Sequence, residues 1–270
     1  MKKSNWWRLP IGLVITAVYL SPLYILLTTA LKKSTDASSR WLVPNYFYLG
    51  NFQYALTEGH IQRGITDSAV ITACSIALIV LLGATAAYPL ARNRSRLNTV
   101  VNGFVLGVMM VPPLSILVPI YSIMKQLHGI STFWGIILLL VTFNLSMSIF
   151  IFSNFIASIP TALDEAAAID GCGPLRTFFS IILPQLKPVT ASVVILTGVN
   201  CWNDYQFSLY MLQKPNITSV TLAVASFFAQ VSSNVYAAAA SALLGVLPVI
   251  VLFLVLQKYF IQGAVDSAIK

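Results

Sequence analysis

The chain has 270 residues, of which 57% are hydrophobic and 9% are charged. Ordinary soluble domains carry about 25% charged residues, so this composition excludes a water-soluble globule and indicates a membrane protein. The net charge of +8 therefore bears on how the chain crosses the bilayer rather than on nucleic-acid binding.

Six apolar segments are long enough to cross the roughly 30 Å hydrocarbon layer, which takes about 20 residues of helix. The predicted helices cover about 9–31, 68–91, 97–124, 131–156, 188–210 and 237–260. The expected fold is all-α and polytopic, with residues 1–270 forming one transmembrane domain. A cleaved signal peptide is the competing interpretation of the first segment. Its apolar stretch runs on to Leu31, however, and is too long for that role.

Positive charge indicates the topology. Arg92, Arg94 and Arg96 lie in one short loop without a neighbouring acid, and short loops dominate the positive-inside rule. This loop is predicted to be cytoplasmic, which places both termini in the cytoplasm as well. The external segment 216–236 mixes apolar and polar residues, as a surface helix or re-entrant piece does. The alternative is a seventh span, which would put the C-terminus outside.

A two-helix elbow is predicted at about 160–186, on the cytoplasmic side between the fourth and fifth spans. Thr161 can cap the first helix, with Asp164 three residues later as its capping-box partner. An alanine-rich run with high helix propensity follows. Gly171 is then expected to close the helix in the left-handed conformation that glycine adopts most easily.

The second arm of the elbow is expected to begin at Pro174 and to end at Pro184. It carries one apolar stripe, formed by Leu175, Phe178, Phe179 and Ile182. The arm is too short to span a bilayer, so the stripe must be buried elsewhere. Packing on the membrane or on the chain's own helices is one alternative. A cluster of carboxylates, Asp164, Glu165 and Asp170, favours docking into the groove of a partner protein instead.

The elbow resembles a known motif. Glu165-Ala166-Ala167, Ile169-Asp170-Gly171 and Ile182-Leu183-Pro184 are similar to the EAA loop of permease subunits in binding-protein-dependent ABC importers. The resemblance extends over almost the whole chain to the carbohydrate branch of that family. It is carried by four further groups of residues: Pro112-Pro113, Trp202-Asn203-Asp204-Tyr205, Leu247-Pro248, and Gln257-Lys258-Tyr259-Phe260 followed by Gly263.

The resemblance implies a mechanism and a set of coupling residues. In the family, the EAA loop lies in a cleft of a cytoplasmic ATPase, and closure of the ATPase dimer rocks the permeases as rigid bodies. Glu165 would pair with a basic residue of the ATPase, Gly171 would permit the turn, and Leu183 with Pro184 would set the exit into the fifth helix. The implied coupling residues are Glu165, Ala166, Ala167, Asp170, Gly171, Leu183 and Pro184.

The resemblance also implies partners and a location. The partners are a second homologous permease, a dimer of ATPase subunits that binds ATP and Mg²⁺, and an extracytoplasmic solute-binding protein that selects a sugar-type substrate. The location is the prokaryotic inner membrane, in contact with lipid. A family-like contact by the tail at 263–270 is left open, because this tail carries Asp266.

The sequence offers no catalytic or metal site. It lacks the GxxxxGK[ST] loop that cradles phosphates, so ATP hydrolysis must come from a partner. His60 and His128 are expected to be surface residues, and the three cysteines are too widely spaced for a zinc site. The rival functions are an ion-coupled secondary transporter, a passive channel and, more distantly, an enzyme acting on lipid. Ion coupling is disfavoured because only one acid, Asp204, approaches a span.

Polar side chains within the apolar spans are the candidates for a translocation path. The predicted path residues are Asn144, Asn200, Asn203 and Asp204, the last three lying within five positions on one helix. Amides are costly in hydrocarbon and face either a partner helix or an aqueous cavity. Interhelical hydrogen bonding is therefore the alternative role for each.

Overall fold

The computed structural model describes residues 7–93, 95–229 and 234–268, and within these ranges every regular element is helical. The helices are α1 (Arg8–Ala30), α2 (Gly50–Thr57), α3 (Ile61–Arg92), α4 (Arg96–Met109), α5 (Leu117–Gln126), α6 (Phe133–Ser158), α7 (Ala162–Ile169), α8 (Pro174–Thr177), α9 (Leu183–Gln185), α10 (Lys187–Trp202), α11 (Gln206–Met211), α12 (Val220–Ala229) and α13 (Val235–Ala268). A 3-10 turn at Pro113–Ile116 precedes α5, and a wide π-type turn at Phe178–Ile182 joins α8 to α9. The predicted all-α class is confirmed.

The described part of the chain has four to six candidate membrane spans. Four single helices are long and apolar enough: Leu9–Ala30, Ile61–Arg92, Phe133–Ser158 and Val235–Gln257. Two more segments qualify only as bent pairs, Arg96–Met109 with Pro113–Gln126 at 93° and Pro174–Gln185 with Lys187–Trp202 at 76°. A multi-pass membrane protein is therefore established, while the number six stays a prediction.

The structure corrects the prediction of one continuous helix over about 97–124. α4 ends at Met109, and Pro112 is extended, with φ −65° and ψ 125°. The cause is Pro113, because a proline ring disfavours the helical conformation of the residue before it. Pro113 itself begins the 3-10 turn, where its missing N–H costs little. Arg94, from the arginine cluster, lies outside the described residues.

α12 lies within the segment 216–236 for which a seventh span was the alternative. It has 10 residues, which at 1.5 Å per residue reach about 15 Å, half of the hydrocarbon layer. As a single helix α12 is too short to cross the membrane. Residues 230–233 of this segment lie outside the described ranges.

The chain divides into two compact units. A smaller unit takes in Met1–Ile65 and Val220–Leu247, and a larger unit takes in Thr66–Ser219 and Pro248–Lys270. In the smaller unit, Asn51 closes the C-terminus of α1, because its Nδ2 donates to the carbonyls of Ala30 (2.8 Å) and Lys32 (2.7 Å). Helix ends leave such carbonyls without a partner in the helix.

In the larger unit, α3 and α6 pack closely at a small-residue contact. A Cβ added to Gly83 would lie 2.1 Å from the Ser148 hydroxyl, so only glycine permits this approach. The Ser148 hydroxyl donates to the Ile79 carbonyl of α3 at 3.2 Å. Small residues that let helix backbones approach are typical of membrane helix packing. This pair of helices supports the elbow, which follows α6.

Candidate functional site

The predicted elbow is present as two short arms joined by a tight turn. α7 forms the first arm, and α8, the π-type turn and α9 form the second. Gly171 has φ +77°, the left-handed conformation expected from the sequence. The Cys172 N–H donates to the Ala167 carbonyl (2.9 Å) and the Gly171 N–H donates to the Ala168 carbonyl (3.1 Å). This pair of bonds defines a Schellman motif, so the predicted helix end is confirmed.

The predicted capping box at the start of α7 is wrong. Thr161 has φ −64° and ψ −22°, which is helical rather than the extended backbone of a side-chain cap. Among the described residues, its side chain makes no capping hydrogen bond. Its carbonyl instead accepts from the N–H groups of Asp164 (2.9 Å) and Glu165 (3.0 Å). The Asp164 side chain does not take part in a cap and contacts residues of α3 instead.

The side chain of Asp164 points toward the end of α3, where it contacts Arg92 and Tyr88. Its Oδ2 lies 2.8 Å from Nη2 of Arg92, and both side chains are largely buried. The Tyr88 hydroxyl donates to its Oδ1 at 2.6 Å. Nη1 of Arg92 donates to the carbonyl of Ile159, the C-cap of α6, at 2.8 Å. This Arg92 cluster therefore joins the ends of α3 and α6 to the first turn of α7.

The Arg92 cluster corrects the predicted group of three docking carboxylates. Asp164 is bound within the chain, whereas Glu165 and Asp170 are exposed. The physical reason is helical geometry, because at 3.6 residues per turn two consecutive side chains point about 100° apart. Adjacent acids at 164 and 165 could have shown that one of them turns inward. The sequence gives no signal that its partner is Arg92, 72 positions earlier.

The predicted apolar stripe of the second arm divides into a buried and an exposed half. Phe178 and Ile182 are buried, and the ring of Phe178 lies 5.3 Å from that of Tyr88. Phe179 is half exposed and lines an apolar crevice of about 310 Å³. Leu175 is 76% exposed. The larger unit thus covers only part of the stripe.

The second arm does not end at Pro184 as predicted. It continues to Gln185, and the bend of 76° follows at Leu186, where ψ is −2°. The turn before Pro184 is wide, with the Leu183 N–H donating to the Phe178 carbonyl five residues back. Such widening accommodates a proline, which has no N–H and whose ring would otherwise meet the carbonyl four residues earlier. Leu183 and Pro184 therefore lie at the exit from the elbow.

Two of the four predicted path residues lie together between α6 and α10. The Asn200 Nδ2 donates to the Asn144 Oδ1 at 3.3 Å, and the Asn144 Nδ2 donates to the Leu140 carbonyl at 2.8 Å. Asn200 remains exposed on its other side. The pair combines an interhelical hydrogen bond with an amide that is open to a ligand or a partner.

The other two path residues lie where the predicted fifth helix is interrupted. α10 ends at Trp202 and α11 begins at Gln206, which corrects the prediction of one helix over about 188–210. Asp204 causes the restart, because its carboxylate accepts from the Phe207 N–H (3.2 Å) and the Ser208 N–H (2.8 Å). These bonds cap the first turn of α11. Asn203 lies at the end of α10 and is exposed.

Together, the fold and the elbow define a polytopic helical membrane protein. Its elbow of two short arms exposes both acidic and apolar side chains. The chain matches a family model over residues 79–265, described as the inner membrane component of binding-protein-dependent transport systems. The chain belongs to this family, whose members are permease subunits of ABC importers, and the predicted permease role is thereby confirmed.

Two relatives cover nearly the whole chain. The melibiose/raffinose/stachyose import permease protein MelC of Bacillus subtilis is 39% identical over 95% of this chain and 94% of its own length. The multiple sugar-binding transport system permease protein MsmG of Streptococcus mutans is 31% identical over 100% of this chain and 98% of its own.

A solved structure shares the fold. It is a bacterial ABC transporter involved in the import of the acidic polysaccharide alginate, and the matched chain superposes with a TM-score of 0.81. The match covers 96% of this chain and 98% of that chain at 17% sequence identity. At this identity the similarity establishes the fold alone.

Proposed function

We propose that this chain is the transmembrane permease subunit of an ATP-driven importer for a carbohydrate or a related solute. It forms the translocation path with a second, homologous permease, and a dimer of cytoplasmic ATPase subunits supplies energy by hydrolysing ATP with Mg²⁺. An extracytoplasmic binding protein delivers the solute. Support for a carbohydrate comes from MelC and MsmG, both of which are named for sugars.

The outer face of the elbow is the observation that carries this proposal. Ile169 is 87% exposed, Leu175 is 76% exposed, and the carboxylates of Glu165 and Asp170 are exposed beside them. An apolar patch rimmed by charge is typical of a protein-protein contact. We assign the groove that receives it to the ATPase, with a basic residue of the ATPase opposite Glu165.

The remaining coupling residues shape the elbow. Ala167 is buried against the larger unit, and Ala166 faces outward, where a small side chain permits close approach of a partner. Gly171 sets the angle between the arms, and Leu183 with Pro184 sets the exit toward α10. Through the Arg92 cluster, a displacement of α7 is passed to the ends of α3 and α6.

The proposed topology has six spans: the four single helices, the bent pair Arg96–Met109 with Pro113–Gln126, and α10. The elbow and both termini lie in the cytoplasm of a prokaryotic cell. The Arg92 cluster then lies at the cytoplasmic end of α3. The side chains of the tail at 263–270 lie outside the described residues, so the tail has no part in the proposal.

Two substitutions on the elbow, a charge reversal at Glu165 and a change of the turn glycine Gly171, test the coupling role. Glu165→Lys and Gly171→Asp should leave the subunit inserted but abolish receptor-stimulated ATP hydrolysis by the purified complex in vesicles. Glu58→Lys is the matched control, since Glu58 is an exposed acid at the end of α2 and should retain wild-type stimulation. Wild-type stimulation in both elbow variants refutes the coupling assignment.

The path is tested separately. We propose that Asn144, Asn200, Asn203 and the Asp204 region line it, with the exposed amide of Asn200 as the main solute contact. Asn200→Ala should reduce solute uptake while receptor-stimulated ATP hydrolysis persists. Asn154→Ala, an exposed amide of α6, serves as the control. Equal uptake by the two variants removes Asn200 from the path.

A further inference from the structure

Four consecutive backbone carbonyls in the loop after α1 accept hydrogen bonds from side chains of three residues. The Lys32 Nζ donates to the carbonyls of Ser38 (3.5 Å) and Ser39 (2.6 Å). The Thr28 hydroxyl donates to the Arg40 carbonyl at 2.5 Å, and the Tyr24 hydroxyl donates to the Trp41 carbonyl at 2.8 Å. We call Tyr24, Thr28 and Lys32 the side-chain ladder.

The ladder shows that the loop turns back along α1. Tyr24 and Thr28 are four residues apart and lie on one face of α1, and Lys32 follows two residues beyond the end of the helix. The later residues of the ladder bind the earlier carbonyls of the loop. The chain from Ser38 to Trp41 therefore runs antiparallel to α1. Tyr24 is six residues before the end of α1, a distance of about 9 Å along the axis. Trp41 therefore lies beside α1, about 9 Å along the axis from its C-terminal end toward its N-terminus. The centre of its ring is 6.4 Å from that of Tyr24.

The returning segment carries large apolar side chains that are mostly exposed. Trp41 is 59% exposed, Leu42 60% and Val43 62%. The Leu42 N–H is also satisfied, since it donates to the Ser39 carbonyl at 3.0 Å. The segment 38–43 thus combines four hydrogen-bonded carbonyls, those of residues 38–41, with three large apolar side chains that are exposed.

This arrangement is hard to explain for a loop in water. Water caps exposed carbonyls without burying a lysine, yet Lys32 is 1% exposed, and burying an ammonium group is costly unless it is fully hydrogen-bonded. In the bilayer no water is available to cap the carbonyls, so backbone groups must find hydrogen-bond partners within the protein. The apolar side chains then face an apolar solvent.

We propose that residues 38–43 form an interfacial segment that lies in the boundary between lipid headgroups and acyl chains, with Trp41, Leu42 and Val43 in contact with lipid. The segment is continuous with α1, a candidate span that is almost entirely uncovered by the rest of the described chain. Trp at this depth places its apolar ring in the acyl region and its N–H near the headgroups. The exposed side chain of Arg40 can extend outward to lipid phosphate.

Depth-dependent quenching tests the proposal on the full chain in phosphatidylethanolamine–phosphatidylglycerol vesicles. Trp6, Trp7, Trp134 and Trp202 are replaced by Phe, which leaves Trp41 as the only tryptophan. Lipids brominated close to the headgroup should quench its emission severalfold more than lipids brominated at the acyl terminus, and aqueous iodide should have little effect.

A spin label provides a second measurement if the single-tryptophan chain fails to fold. Leu42→Cys carries the label in a background with the native cysteines replaced by Ala, and Ser34→Cys is the control, since Ser34 is exposed just beyond α1. The label at 42 should be accessible to oxygen and shielded from a water-soluble nickel chelate, with the reverse at 34. Access of iodide or nickel to the segment places it in water and overturns the proposal. Protection from lipid and aqueous reagents alike means that protein covers it and overturns the proposal too.

Discussion

The loop after α1 and the elbow after α6 are both connections between helices, yet they place their polar groups in opposite ways. In the loop, the charged end of Lys32 is buried and directed at backbone carbonyls of its own chain. In the elbow, Asp164 is bound inside while the neighbouring Glu165 is exposed beside Ile169. The loop directs its buried charge at its own backbone, and the elbow leaves Glu165, Asp170 and the apolar Ile169 exposed.

The difference separates two kinds of membrane-protein connection. A segment that meets lipid has to satisfy its own backbone, because lipid offers no hydrogen bonds. A segment that meets another protein can leave charges and apolar side chains exposed, because the partner supplies the complement. Removing one buried charge from each region, and comparing it with a matched exposed charge, shows whether this distinction holds.

The largest effect is expected from Arg92→Met. It leaves Asp164 as a buried carboxylate without its cation and removes the bond to the Ile159 carbonyl, so the free energy of unfolding should fall by about 2–3 kcal/mol. That estimate is below the range for a fully buried pair, since both side chains retain some exposure. Denaturant unfolding in mixed micelles measures the loss, and faster labelling of the Cys172 thiol reports loosening of the elbow.

Two variants sharpen this result. Arg176→Met removes an exposed arginine of α8 and should change stability by less than about 0.5 kcal/mol. Arg92→Met with Asp164→Leu removes both charges and should recover most of the lost stability, because replacing both members of a buried pair can be nearly neutral. If the double variant is less stable than Arg92→Met alone, the two side chains do not act as a pair.

Adjacent lysines give the corresponding comparison in the loop. Lys32→Met leaves the carbonyls of Ser38 and Ser39 without their donor and should destabilise the chain by about 1–2 kcal/mol. Lys33→Met removes an exposed ammonium 5.3 Å from the Tyr46 ring centre, a contact with a value of about 0.5–1 kcal/mol. Thermal unfolding of the two variants under identical conditions provides the measurement. Equal losses would mean that burial of Lys32 has no special role.

Two glycines of the elbow separate backbone conformation from available space. Apart from the adjacent residues of the chain, no heavy atom of the described residues lies within 4 Å of the position that a Cβ would take at Gly171 or Gly173. Gly171 has φ +77° and Gly173 has φ −74°. Gly171→Ala should therefore cost about 1 kcal/mol through left-handed strain alone, and Gly173→Ala should be neutral or slightly stabilising. A loss at Gly173 equal to that at Gly171 would contradict the conformational explanation.

Local features of the elbow could be predicted from the sequence. The turn at Gly171 and the start of the second arm at Pro174 follow from the chemistry of single residues, and the structure has both. The capping box could not be judged locally, because Asp164 has a stronger interaction with Arg92 across 72 positions. A pattern of spacing within one helix carries no information about such a partner.

The same limit applies to the spans and to the path. Hydropathy indicates apolar segments near 97–124 and 188–210, but the breaks at Pro112 and Asp204 depend on backbone conformation and on a side-chain cap. The sequence indicates Asn144 and Asn200 separately, each as a costly amide in an apolar helix. Their hydrogen bond required the packing of α6 against α10.

The smallest effect is expected from titration of Asp36, next to the side-chain ladder. Hydrogen bonds from Ser38 and Tyr46 lower the pKa of this carboxyl from 3.8 to about 2, and the charge of Lys32 adds to the shift. Because the folded pKa lies below the unfolded value, the stabilisation is complete above about pH 4 and is lost as the pH falls toward 2. Asp36→Asn should be less stable than the wild type at pH 6, and the difference should shrink on acidification, as measured by denaturant unfolding at each pH. Glu58→Gln, at an exposed acid, should show no such convergence. A difference for Asp36→Asn that stays constant down to pH 2 would mean that these hydrogen bonds do not favour the ionised carboxylate, and that the order of the loop rests on Lys32, Thr28 and Tyr24 alone.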